Sequence, residues 1–72
     1  MNGIQVMMLI HSLKIEIETW DTHRLQMTRE PALASLKRLS GYDFGRGLRA
    51  RQRALEWLVQ VAEDNNLPIT KR

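Results

Sequence analysis

Seventy-two residues give room for one domain and one small core, and a chain this short buries only about 60% of its unfolded surface. Apolar residues at 43% and charged residues at 26% are ordinary for a globular domain, and 11 Lys+Arg against 8 Asp+Glu leave a net charge of +3 and a pI near 10.0, which suits an anionic partner. The absence of cysteine excludes disulfides, thiolate catalysis and every Cys-based zinc or iron–sulfur site.

The longest apolar run, Val6 to Ile10, is far short of the ~20 residues a membrane span needs. Met1 to Ser12 lacks the basic segment and small-residue cleavage site of a secretory signal. A cytoplasmic protein with no membrane partner is expected.

The first predicted element covers residues 4–27. Val6, Ile10, Leu13, Ile17 and Trp20 are spaced four, three, four and three, the stripe of a helix close to a coiled-coil seam. Asn2 is its expected N-cap. A rival reading is a β-hairpin, because Leu13, Ile15 and Ile17 alternate with Lys14, Glu16 and Glu18. Its turn would fall near His11-Ser12, which lacks the Gly, Asn or Asp that two-residue turns favour. One long helix is therefore preferred.

Pro31 ends that helix by Glu30 and opens a second over residues 31–39, with Thr28 or Glu30 leading it. Leu33, Leu36 and Leu39 line one face, and Ser40-Gly41 ends it because Gly takes the left-handed cap at no steric cost. Asp43 is expected to cap the helix that follows, and Phe44 to fold back as an apolar plug. The third helix runs over residues 46–64. Leu48, Leu55, Leu58, Val59 and Ala62 share a side, and Ala50, Ala54, Val61 and Trp57 widen the apolar arc to about 200°. Asn65-Asn66 and Pro68 stop it, leaving residues 67–72 as a loose tail.

The run from Ala32 to Gly45 followed by Trp57 resembles the last helix pair of some HEAT-type repeat proteins, in which a leucine-rich helix ends in Gly-x-Asp-Phe-Gly and a Trp-bearing helix follows. The resemblance covers about a third of the chain and implies a helical hairpin, without implying a function.

The charge pattern of the third helix is reversed. Arg46, Arg49, Arg51 and Arg53 fall in its first two turns, whereas Glu56, Glu63 and Asp64 come later. A helix N-terminus carries roughly half a positive charge and prefers carboxylates. Arg46, Arg49 and Arg53 lie opposite the apolar arc, while Arg51 sits at its edge. Phosphate contact by this helix start is one account, because free N–H groups and guanidinium forks both favour an anion. A solvated face with an Arg53–Glu56 pair, or arginines paired with Glu16 and Glu18 of the first helix, is the other.

Little else suggests chemistry. Asp21-Thr22-His23 sets an acid beside a histidine without a nucleophile, and His11 and His23 are too far apart for a metal pair on one helix. Trp20 and Trp57 continue helix stripes and are expected in the core; Met7, Met8 and Met27 fill gaps, and the Met7-Met8-Leu9-Ile10 run hints at self-association. The expectation is an all-α domain, not an enzyme, without cofactor or metal. Its first functional reading is a nucleic-acid-associated protein contacting phosphate through Arg46, Arg49, Arg51 and Arg53. The alternative is a protein–protein module, adaptor or inhibitor, homodimeric through apolar helix faces.

Overall fold

A computed structural model of the chain describes residues 2–23 and 31–67. It is all-α: three helices, α1 (Gly3–Glu18), α3 (Pro31–Ser40) and α4 (Gly47–Asp64), and a four-residue helical turn, α2 (Trp20–His23). No strand occurs among the described residues, so the hairpin reading of the first segment is not supported.

Helix α1 starts where Asn2 predicts. The Asn2 side chain accepts the Gln5 N–H at 2.8 Å, and the Gln5 side chain accepts the Asn2 N–H at 2.9 Å, a reciprocal capping box. It ends at Glu18, short of residue 27. The Thr19 hydroxyl donates to the Ile15 carbonyl at 2.8 Å, and the Thr19 N–H shares the Ile15 and Ile17 carbonyls. The hydroxyl thus takes up a late carbonyl of the helix while the backbone leaves helical geometry, at φ −103° and ψ 16°. Helical structure resumes at Trp20. Thr28, Glu30 and Met27 lie outside the described residues.

Helix α3 begins at Pro31 and closes at Gly41, whose N–H donates to the Lys37 carbonyl at 2.8 Å and whose φ of +83° turns the chain out of the helix. Asp43 does not cap α4. Its carboxylate accepts the Gly45 N–H at 3.0 Å, closing a local turn, and lies 3.5 Å from the Lys37 ammonium. The N-cap of α4 is Arg46, in extended geometry and with no side-chain cap. The Gly45 hydrogen bond first, then the charge and hydrogen bond of Lys37, hold the Asp43 carboxyl below its ordinary value. A depressed carboxyl contributes stability above its unfolded value and loses it as the pH falls through the folded one. In an NMR titration Asp43 is therefore expected to protonate below the ordinary value of an aspartate on acidification. Lys37→Met should move it only part of the way back, because the backbone hydrogen bond remains; a full return would assign the whole effect to Lys37.

Helix α4 ends at Asp64 in a double closure. The Asn66 N–H bonds the Glu63 carbonyl at 3.2 Å, and the Leu67 N–H bonds the Ala62 carbonyl at 2.8 Å, with Asn66 in the left-handed region at φ 58°. Leu67 is half-buried, packs on the core and touches the start of α1: a Cβ placed on Gly3 would lie 3.0 Å from its Cδ2.

The core is a seam between antiparallel α1 and α4, roofed by α3. Helix α1 contributes Val6, Leu9, Ile10 and Leu13, α3 contributes Ala32, Leu33 and Leu36, and α4 contributes Ala50, Ala54, Leu58 and Ala62. The α4 residues recur every four positions, and three of the four are alanine. Small side chains on that ridge set a short distance between helix axes, which range over about 8–10 Å with the side chains at the contact. Leu48, Leu55, Trp57, Val59 and Val61 are only half-buried, so the wide apolar arc is a narrow buried ridge with apolar shoulders.

Candidate nucleic-acid interface

The reversed charge of α4 divides into two parts. Arg51 belongs to the core side. It follows Ala50, and one turn on either side of the ridge lie Gly47 and Ala54, so its side chain enters the α1–α4 seam and is 0% exposed. Its Nε donates to Glu16 Oε1 at 2.6 Å and its Nη1 to the Gly47 carbonyl at 3.3 Å. Its guanidinium carbon lies 5.1 Å from the centre of the Trp20 ring, within cation–π range. Glu16 is itself largely covered, at 13% side-chain exposure. Helix α4 has no acid in its first turn, and α1 supplies one across the seam.

Arg46, Arg49 and Arg53 belong to the outer side. All three are exposed, and Arg49 and Arg53 stand one turn apart on the face away from the core. With Gln52 and Glu56 the last two line a shallow surface depression. Among the described residues the side chains of Arg49 and Arg53 form no ion pair or hydrogen bond, so the Arg53–Glu56 pair that the spacing allowed is not made. Of the acids in α1, Glu16 is engaged by Arg51.

Sequence position places Arg51 among these arginines; the structure does not. Burial removes it: a guanidinium enclosed by Glu16, Trp20 and its own helix has no path to a solvent-borne phosphate. The signal was its place at the edge of the apolar arc.

No protein-family model, curated protein or solved structure matches the chain.

Beside the arginine face stands an aromatic group that the sequence reading did not assemble. Phe44 folds back as expected, with its ring centre 5.8 Å from that of Trp57. Tyr42 meets Trp57 edge-on at 5.1 Å and remains 56% exposed. The sequence signal was the spacing of Tyr42 and Phe44 in a Gly-bounded connection. Trp57 lies one turn beyond Arg53 on α4, and both tryptophans are half-buried.

The other basic residues of the chain are dispersed. Lys37 is engaged by Asp43. Arg38 is exposed and lines a groove between α1 and α3 with Gln5, Met8, Leu9, Ser12, Ser35 and Leu39. Arg24, Arg29, Lys71, Arg72 and the side chain of His23 lie outside the described residues. No described group of three His, Asp or Glu could hold a metal ion, and no described helix is long and apolar enough to cross a membrane.

Proposed function

We propose that the chain is a small nucleic-acid-associated protein that contacts phosphate through the outer face of the α4 start, at Arg46, Arg49 and Arg53. The observation that carries the reading is the exposed Arg49–Arg53 pair. It stands one turn apart, without internal partners among the described residues, at the positive end of a helix that has no acid in its first turn. Unengaged guanidinium forks at that end favour a phosphate over solvent. Glu56, one turn further on and exposed, confines the contact to the first two turns, because a carboxylate repels phosphate. The core pair Arg51–Glu16 holds the start of α4 against α1, which fixes the direction of the outer arginines.

Fluorescence anisotropy against DNA and RNA oligonucleotides over a salt series tests the reading. Binding should weaken steeply as salt rises. Arg49→Gln combined with Arg53→Gln should reduce the log–log salt slope by about 1.8 if each arginine neutralises one phosphate of B-DNA. Absence of binding at low salt to every DNA and RNA probe would end the reading. An unchanged slope in the double variant would move the contact elsewhere. A protein-interaction role draws on a different surface, the exposed side of α1, and uses none of these residues.

A further inference from the structure

Helix α1 is apolar on two opposite sides. One side enters the core through Val6, Leu9, Ile10 and Leu13. The other carries Ile4, Met8 and Ile15 at 71%, 64% and 45% exposure, with Met7 beside them at 38%. Ile4, Met8, His11 and Ile15 are spaced four, three and four, a straight stripe about 17 Å long at 1.5 Å per residue. Ile4, Met7, Met8, His11 and Ser12 together line an open apolar depression. A heptad-spaced seam of this kind is satisfied by a second helix with the same spacing.

We infer that this face is a self-association surface, on which α1 of a second copy docks antiparallel about a two-fold axis between Met8 and His11. In that register Ile4 faces Ile15 of the second copy, and Met8 faces its His11. A polar residue within a seam costs stability and fixes register, which is the role this places on His11.

The charges of α1 select both the occupant and its direction. The first turn of α1 has no acid and the last has no base, while Glu18 is exposed on the same stripe at the negative end of the helix. Antiparallel docking brings each Glu18 level with the chain just ahead of Gly3 of the other copy, at the positive end of its α1, where the leading N–H groups precede the helix ladder. Parallel docking would set Glu18 against Glu18 and like dipole ends together. The stripe is smaller than the ~800 Å² per partner of a standard interface, so a dissociation constant on the order of 10 µM is expected.

The inference uses no residue of the arginine face and stands or falls apart from the phosphate reading. The absence of cysteine gives a clean test. Full-length chains carrying Ile4→Cys and Ile15→Cys are oxidised separately and mixed, and the parent chain is followed by sedimentation equilibrium. The expected results are a concentration-dependent rise toward twice the monomer mass and a mixed disulfide formed in preference to either homodisulfide. Met8→Lys should weaken association at least about tenfold. Its thermal melt should match the parent at a concentration where both are monomeric, because Met8 is not in the core. Predominant homodisulfides would overturn the antiparallel register. Absence of any preference would place the contact on another face. A parent chain that stays monomeric at about 1 mM would overturn the inference outright, leaving the stripe to residues of its own chain or to a different partner.

Discussion

Glu16→Ala is expected to destabilise the domain by about 3–5 kcal/mol, the cost of leaving a buried charge without its partner. Arg51 is 0% exposed and cannot reach water without prising α1 from α4. A core in a domain this small rarely supplies more than about 3–5 kcal/mol in all. The variant should therefore be largely unfolded at room temperature, seen as lost helical circular dichroism. The opposite truncation should be milder: in Arg51→Met the remaining charge is Glu16, at 13% side-chain exposure, which sits nearer the rim. The double variant Glu16→Leu with Arg51→Met should recover the parent's stability or exceed it by about 1–4 kcal/mol, because the desolvation of both ions is relieved together. Urea unfolding of the three variants checks the order. If Glu16→Ala falls within about 0.5 kcal/mol of the parent, the guanidinium finds water or another acid, and the seam is looser than its burial implies.

Leu58→Ala carries the next largest expectation, about 2–5 kcal/mol, made of the lost transfer energy and the cavity left behind. Leu58 is 0% exposed and is the only large side chain on a ridge otherwise made of Ala50, Ala54 and Ala62. Those alanines offer nothing that could swing into the space. Ile15→Ala provides the contrast, since Ile15 is 45% exposed on the opposite side of α1 and should cost little in the monomer. Urea midpoints with unchanged m-values would attribute the difference to packing in the native state. Equal losses at Leu58 and Ile15 would mean that the α1–α4 seam is not the core.

Local chemistry made much of the fold readable. Asn2, Pro31, Gly41 and Asn66 each mark a helix boundary by a mechanism confined to a few residues, and the 3.6-residue stripes named Leu13, Leu33, Leu36 and Leu58 of the core but missed Leu9 and included the half-buried Leu39, Leu48 and Leu55. The break at Thr19 was not readable in the same way. Neither Gly nor Pro stands there, and whether a threonine hydroxyl returns to the Ile15 carbonyl or points to solvent depends on the packing beyond it. The position of Asp43 just ahead of α4 suggests a cap, but the turn to Gly45 lies closer and engages the carboxylate.

The candidate interface was half legible. A helix wheel separates Arg46, Arg49 and Arg53 from the apolar arc, and their outward placement follows. The position of Arg51 at the arc's edge was equally visible. What the wheel cannot show is that Glu16, 35 residues earlier, stands across the seam to receive it. The reversed charge of α4 is thus partly a tertiary pairing and partly an exposed arginine face.

The same separation has a consequence for how the chain folds. The principal partners in the fold are its first and last long helices, joined by pairs such as Glu16 with Arg51 and Gly3 with Leu67. Closing such spans slows folding relative to helical domains built from neighbouring elements. Helix α1 therefore cannot bury its core side until α4, separated from it by residues 19–46, is in place. Until α4 packs, both apolar sides of α1 are open to contact, so an incompletely folded chain is more adhesive than the folded one.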